Sequence, residues 1–526
     1  MLTWRRLLVM AGRLLIVGSL VLLNSCSSLP EAGTYQKTLT EALPADGNTS
    51  LAKAIAHNIK GNVKAGDVAL SGFHPLYLGM DAFVARMALV EAAERSLDVQ
   101  YYMWHSDTSG ILLANQLILA ADRGVRVRLL LDDLRVEGKD DFLIRMDAHP
   151  NIDVRLYNPF AYRGMRGIGF LGDFSRLNHR MHNKSLTADN EVTIVGGRNI
   201  GNEYFNATAQ TTFSDLDVVA IGPVVGKVSD MFDLYWNSDV AIPVGVMVDE
   251  TDLSPQSLQV VRSHFNKIIQ QEMQSAYVEA IHDAGVINSI DFRTMNFYWG
   301  KATLIYDDPD KVFNDEITAN THLAPKLIPM FLEANREIQV VSPYFVPGNK
   351  LLTAFCDLVD KGIRLRILTN SLAANDVGLV HAGYMRYRKK LLKCGAELYE
   401  FKPDPILGSS KKRWTGSSAA SLHAKTMGAD GEQIFVGSFN LDPRSVALNT
   451  EMGVIIKNPE LGTQLAEGFD ELVQNKAYQL LLQEGDLRWV DKSATGSQVY
   501  NVEPETSWWQ RVLAKSLSFI VPESML

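Results

Sequence analysis

His182-Asn-Lys184-Ser-Leu-Thr-Ala-Asp189 is followed by an apolar run, Val192 to Val195, and then by Gly196-Gly197-Arg198-Asn199. The pattern returns as His423-Ala-Lys425-Thr-Met-Gly-Ala-Asp430, with Ile434 to Val436 and Gly437-Ser438-Phe439-Asn440 behind it. His to Asn spans 17 residues in both copies, and the copies stand 241 residues apart. Alternate residues of a strand leave the same face, so His182 projects with Lys184 and His423 with Lys425. Asp189-Asn190 and Asp430-Gly431 are turn formers, so each chain segment doubles back as a hairpin and returns Asn199 or Asn440 towards its own His and Lys. Each half thus sets an imidazole, an ammonium and a carboxamide on one surface. A single such pattern arises by chance, and a lone His is more often structural than catalytic. Recurrence with the same downstream spacing is what marks a site. Two halves brought together offer two imidazoles and about four donors suited to phosphate oxygens, with no evident carboxylate cluster for a metal.

The flanking sequence is duplicated as well. Asp81 to Arg95 has helical apolar spacing, Leu97 to Trp104 reads as a strand, Ile111 to Arg123 as a helix, and Gly124 to Leu131 as a second strand ending in Asp132-Asp133. Pro325 to Arg336, Ile338 to Tyr344, Leu351 to Lys361 and Gly362 to Leu368 repeat that order, and Gly124 and Gly362 are 238 residues apart. The fold class expected is α/β: two α-β-α lobes with parallel strands, related by a pseudo-two-fold, sharing one active site at their interface. One chain completes that site, so no second subunit is required. The expected divisions are a signal at 1–25, a tether and N-terminal segment at 26–71, a first lobe at 72–245, a connector at 246–300, a second lobe at 301–482 and a tail at 483–526. In the connector, Ser254-Pro255 has helix-start chemistry, and the helix is expected to run to about Gly285 and pack across both lobes. Ser50 is expected to cap a short helix ending near Gly61.

Arg5, Arg6 and Arg13 precede an apolar run from Leu14 to Leu23 and then Asn24-Ser25-Cys26. A basic start and a ten-residue apolar core suit a signal peptide and are short for a transmembrane helix. Ser25-Cys26 resembles a lipoprotein processing site, which implies cleavage before Cys26, lipidation of Cys26 and a cell-envelope location facing the periplasm. Residues 27–49 then read as a polar tether. The whole chain carries net charge −9; the first 25 residues hold three arginines and no acid, so the remainder has 48 basic and 60 acidic residues, net −12. That balance speaks against a nucleic-acid-tracking protein.

The duplicated motif resembles that of the phospholipase D superfamily, in which two such halves form one site. From about Gly72 onward the chain is similar to bacterial cardiolipin synthases of the C-type branch. The resemblance rests on Leu97 to Trp104, His182 to Phe205, Ser342-Pro-Tyr-Phe-Val-Pro-Gly348 and Gly437 to Ser445. It implies a cofactor-free phosphatidyltransferase that makes cardiolipin from phosphatidylglycerol and a donor such as phosphatidylethanolamine. The catalytic set it implies is His182, Lys184, Asp189, His423, Lys425 and Asp430, with His182 as nucleophile through a phosphohistidine and His423 as general acid and base. Lys184, Lys425, Asn199 and Asn440 would bind the phosphoryl oxygens, and Asp215 and Glu451 would orient the imidazoles. Asp189 and Asp430 sit at turns, where a structural role competes with a chemical one. His381, Tyr384 and Arg388, at i, i+3 and i+7, resemble a stretch near an acceptor pocket. Tyr101, Tyr102, Trp104, His105, Tyr344 and Phe345 follow the first strands of the two lobes, although aromatics there are more often core. His179, His57, His74, His149, His264, His282 and His322 read as structural or surface residues, and no metal or nucleotide motif is present.

Cys356 and Cys394 read as two separate buried thiols rather than a disulfide. The tail Trp508 to Val521 carries paired Trp and two basic residues, which suits the membrane interface. Three other readings differ in testable ways: a phospholipase D that transfers to water, a nuclease with a basic groove, and a non-catalytic lipid-binding lipoprotein, which would require one motif to be broken.

Overall fold

The first lobe contains β1 (Leu70–Leu76), β2 (Ser96–Tyr101), β3 (Arg126–Asp132), β4 (Ile152–Tyr157), β5 (Ser185–Ala188), β6 (Val192–Gly196), β7 (Asp217–Ile221) and β8 (Ala241–Pro243). The second repeats them as β9 (Tyr298–Tyr306), β10 (Glu337–Val341), β11 (Arg364–Asn370), β12 (Glu397–Phe401), β13 (Thr426–Ala429), β14 (Gln433–Gly437), β15 (Met452–Lys457) and β16 (Ala477–Gln483). It then adds β17 (Asp486–Asp491) and β18 (Gln498–Tyr500). This computed structural model describes residues 29–522 apart from 32, 63–69, 165, 206–214, 249–254, 273–278, 280–290, 314–315, 376, 404–420 and 494–495. Cys26 and the signal-like segment lie outside the described residues.

Strands β2, β3 and β4 pair in parallel, as do β10, β11 and β12. The expected helices Gly79–Ala92 and Leu323–Leu332 precede β2 and β10, and Thr108–Asp122 and Gly348–Asp360 connect β2 to β3 and β10 to β11. Strands sandwiched this way are buried on both faces, so β2 is buried throughout and β3 from Val127 to Asp132, polar residues included. Two of these are paired inside: the Arg128 Nε lies 2.6 Å from Asp98, with Asp233 2.7 Å from the same guanidinium. Each motif forms the antiparallel hairpin β5·β6 or β13·β14 beside the first parallel strand of its lobe. Asp189, Asn190, Asp430 and Gly431 all have φ near +55° to +67°, the left-handed turn geometry that Asp, Asn and Gly tolerate.

The lobes meet through equivalent strands. β1 pairs antiparallel with β9, from Leu70 opposite Lys301 to Phe73 opposite Tyr298. Two copies of one strand pairing with each other is what a two-fold axis produces. Across this seam Val195 and Val218 share a core with Ile434, Val436, Met452 and Val454.

Several sequence expectations are corrected. The connector helix is described over Pro255–Gln271, and Ser254 and the stretch towards Gly285 lie outside the described residues. Its apolar face, Val261 and Phe265, joins the first lobe's core beside the helices Thr108–Asp122 and Asp140–Asp147 instead of bridging both lobes. The helix Ser50–Asn62 is capped by Thr49, whose hydroxyl accepts from the Ala52 amide at 3.1 Å. Much of the supposed tether is docked. The Thr40 carbonyl accepts from Arg128 at 2.9 Å, the Glu41 carbonyl from Arg126 at 2.8 Å, and Trp236 Nε1 donates to the Thr40 hydroxyl at 2.9 Å. Composition concealed this, because the partners are guanidinium groups of β3 and the segment answers with backbone carbonyls.

Cys356 and Cys394 form a disulfide, with Cα atoms 5.5 Å apart. The expectation of separate thiols fails because the helices Gly348–Asp360 and Arg388–Lys393 bring the two together. Closing a 38-residue separation is worth about 3–4 kcal/mol in the chain-entropy account. Replacing both by Ser is expected to lower unfolding stability by that amount in denaturant titrations. Reductant should bring the wild type down to the variant and leave the variant where it is.

Candidate active site

The segment before β5 carries His182 into the seam between the lobes. The His182 amide donates to the Thr450 carbonyl at 2.8 Å, and the Thr450 amide donates to the Arg180 carbonyl at 2.9 Å. Behind it, the Met181 amide donates to Asp132 at 2.8 Å, and Arg180 donates to the Asn158 carbonyl at 2.8 Å. Asp132 ends β3, so a parallel strand of the core sets the position of the His182 segment.

The orienting carboxylates are exchanged between the lobes. His182 Nδ1, in the first lobe, lies 2.9 Å from Glu451 Oε2, in the second. His423 Nδ1, in the second, lies 2.5 Å from Asp215 Oδ2, in the first. Each imidazole therefore presents Nε2 to the site with its other nitrogen held. Glu451 is fixed in turn by the Ser438 hydroxyl at 2.5 Å, the Ser445 hydroxyl at 2.8 Å and its own amide on Asp307 at 2.7 Å. Glycines make room for the acids. A Cβ at Gly197 would sit 2.2 Å from Asp215 Oδ1, and one at Gly437 would sit 2.3 Å from the Met452 carbonyl.

Both lysines turn back onto their own motif. Lys184 Nζ donates to the His182 carbonyl at 2.5 Å, and Lys425 donates to the His423 carbonyl. Asn199 and Asn440 are buried, and neither carboxamide oxygen meets a protein partner. Two rings pack edge-on against the imidazoles: Tyr102 on His182 and Tyr204 on His423, each with centroids 5.1 Å apart. Arg135 reaches the Tyr102 hydroxyl at 3.3 Å. Tyr102 thus belongs to the site, where the sequence reading favoured the core. Tyr204 and Arg135 were missed. The signals were available: Tyr204 follows Asn199 within the motif's own tail, and Arg135 follows the carboxyl end of a parallel strand, where such sheets build sites.

Burial and charge set the titrations. Burial pushes the His182 imidazole well below the usual histidine range, and Lys184, Lys425 and His423 push the same way. Burial and Lys425 also lower His423, against the opposing Asp215. Burial would raise Asp215, but His423, Lys425 and Arg198 override it and hold the carboxyl well below the carboxylate range. Glu451 is raised to about 7, chiefly by burial against the pull of Lys184. Lys184 is lowered to about 7, again by burial first, with Glu451 opposing and Lys425 assisting.

Asp189 and Asp430, expected among the catalytic residues, are not with the imidazoles. They stand at the far end of each hairpin, ~16 Å beyond the lysine at strand spacing. Asp189 accepts the amides of Arg95 and Ser96 at 2.8 and 2.9 Å, and Asp430 those of Arg336 and Glu337 at 2.8 and 2.9 Å. Both tie the hairpin to the segment entering the first parallel strand of the lobe. The His381, Tyr384 and Arg388 stretch is corrected too. One helix ends at Tyr384 and another starts at Arg388. All three side chains are buried; His381 meets Glu503 at 3.2 Å, and Arg388 meets Glu503 at 2.7 Å and Glu400 at 3.1 Å. Through Glu503 they anchor the C-terminal segment. Among the described residues, the one group with convergent metal-ligand atoms is His105, Asp107 and Glu203. Its Asp107 already accepts from the Gly110 and Asn202 amides, at 3.1 and 2.6 Å.

Two stretches, residues 87–236 and 327–473, match the family model described as "Cardiolipin synthase, PLD-like domain". Cardiolipin synthase C of Escherichia coli (strain K12) is 45% identical over 462 residues, covering 86% of this chain and 96% of that protein. The chain belongs to the cardiolipin synthase family with phospholipase D-like domains. It is an enzyme, a phosphatidyltransferase of the phospholipase D type. An uncharacterized protein of Helicobacter pylori (strain J99) is 32% identical, covering 91% of this chain and 93% of its own. The crystal structure of phosphatidylserine synthase from Haemophilus influenzae Rd KW20 superposes with TM-score 0.55 at 13% identity, covering 90% of this chain and 99% of that one. That likeness is one of fold. Substrates of a cardiolipin synthase-family enzyme are phospholipids, so this enzyme works at a membrane. No helix among the described residues is long and apolar enough to cross one.

Proposed function

We propose that the enzyme makes cardiolipin by moving a phosphatidyl group from a phospholipid donor to phosphatidylglycerol. The observation that carries this is the crossed pair of carboxylate-oriented imidazoles, His182 with Glu451 and His423 with Asp215, beside lysine and asparagine donors from both lobes. His182, kept neutral by burial, attacks phosphorus through Nε2. The bond to the donor's headgroup oxygen breaks, and His423 gives that oxygen its proton. The primary hydroxyl of phosphatidylglycerol then loses its proton to His423 and displaces His182 from phosphorus. Lys184, Lys425, Asn199 and Asn440 hold the phosphoryl oxygens while charge builds on them. No step draws on a cofactor, and one chain supplies every group. Attachment through a lipidated Cys26, facing the periplasm, is part of the same proposal.

Purified full-length protein in mixed micelles of phosphatidylethanolamine and phosphatidylglycerol tests the reading. Cardiolipin is the expected product. Phosphatidic acid alone would reassign the enzyme to hydrolysis, and absence of any lipid product would overturn the proposal.

A narrow pH optimum near neutrality follows from the shifted groups. As pH falls through about 7, Glu451 gains a proton and ceases to hold Nδ1–H of His182 as a charged acceptor. As pH rises through about 7, Lys184 loses the charge that faces the phosphate. Lys184→Arg should lower the maximum rate and move the alkaline limb up by more than about one unit, because guanidinium does not titrate there. An alkaline limb that stays in place would assign it to another group.

A further inference from the structure

The C-terminal helix Trp508–Ile520 faces the wrong way for a helix packed on its own protein. Ser507 caps it, with a reciprocal bond to Gln510. Arg386 holds the other end through the Ser518 and Val521 carbonyls, both at 2.5 Å. It rests on the helix Gly378–Tyr384. The side turned to the protein is narrow: Ala514 is buried, Leu517 and Ser518 are half-buried, and Arg511 bonds back to Thr506. The side turned outward is apolar, with Phe519 80%, Ile520 74%, Trp509 71% and Trp508 58% exposed, and Val512 and Leu513 between them. At 100° per residue these six fall on one continuous arc, with Ser516 inside it and the exposed Lys515 at its edge. Leu379 and Val377, at the start of the supporting helix, are exposed as well.

An arc of this kind, on a helix held to the protein by Arg386, is a contact surface, not a packing remnant. Its chemistry selects the partner. Tryptophans settle at the level of lipid headgroups, large aliphatics and Phe reach the acyl boundary below them, and a flanking Lys meets anionic headgroups. Position agrees. The supporting helix lies in the segment leaving the carboxyl end of β11, where Asn370 bonds both the amide and the carbonyl of Leu422, immediately before His423. We infer that the exposed face of the helix Trp508–Ile520 docks the enzyme on a bilayer containing anionic phospholipid. This rests on the lipid substrate proposed above.

Tryptophan quenching separates the two claims. Full-length protein is mixed with phosphatidylethanolamine and phosphatidylglycerol vesicles whose acyl chains carry bromine, and tryptophan emission is compared with that of a Trp508→Phe/Trp509→Phe variant. Strong quenching in the wild type should be largely absent from the variant, although six of the eight tryptophans remain. Phe519→Glu with Ile520→Glu should cut turnover on vesicles by at least about tenfold and leave turnover of a short-chain, monomerically dissolved phospholipid unchanged. Equal quenching of wild type and double Phe variant would overturn the inference. So would equal loss of both activities in the Glu variant, or a change in oligomeric state without quenching, which would make the arc a protein interface. Quenching needs no turnover. Docking without cardiolipin would therefore count against the function alone, and cardiolipin made with unquenched tryptophans would count against the helix alone.

Discussion

His182→Ala is expected to lower phosphatidyl transfer on the order of 10⁴–10⁶-fold, or about 5–8 kcal/mol of transition-state stabilisation. The imidazole is the group that would form the bond to phosphorus, and its surroundings supply no substitute. Lys184 is folded back on the His182 carbonyl, and Glu451 is fixed by two serine hydroxyls. His423→Ala removes the proton carrier and should cost a similar factor with natural donors. The double variant should be no slower than the slower single one, because neither imidazole is useful without the other. A donor labelled in its acyl chains should leave label on wild-type protein after denaturation at alkaline pH, and none on His182→Ala. Covalent label surviving in His182→Ala would move the nucleophile elsewhere.

The second large effect concerns the crossed carboxylates. Glu451→Gln and Asp215→Asn should each lower kcat/KM by about 10²–10⁴ while the lobes stay folded, because shape is kept and only the charge facing Nδ1 is lost. They should act on different steps. In the proposed mechanism Glu451 orients the attacking imidazole, so Glu451→Gln should slow formation of the covalent intermediate whatever the leaving group. Asp215 orients the proton donor, so a donor with an acidic phenol as leaving group, which departs without a proton, should restore intermediate formation in Asp215→Asn. Equal rescue of both variants would refute the assignment of one acid to each imidazole. A thermal melting point unchanged within a few degrees in both separates loss of orientation from loss of fold.

Much of the architecture was legible because it is local and repeated. The helices and parallel strands flanking each motif appear where apolar periodicity placed them, within a few residues. The errors share another origin. Asp189 and Asp430 sit in the motif, yet their partners are backbone amides about 95 residues away in sequence. His381 and Arg388 resemble pocket residues until Glu503, more than 100 residues later, is seen to bond both. Residues 40–42 read as linker because backbone carbonyls serving Arg126 and Arg128 leave no mark in composition.

The family resemblance supplied the two acids available to the imidazoles; the sequence by itself determined the duplication, the α/β class and the hairpin that brings His, Lys and Asn to one surface. These follow from strand alternation and turn chemistry, which act over a few residues. Only the tertiary structure decided that each acid serves the other lobe's imidazole, that Cys356 meets Cys394, and that the last helix turns its apolar side outward. Those outcomes depend on how β1 meets β9 and how helices far apart in the chain come to lie together. Spacing along a chain does not encode the distance between two of its surfaces; the packing of the lobes about their two-fold does.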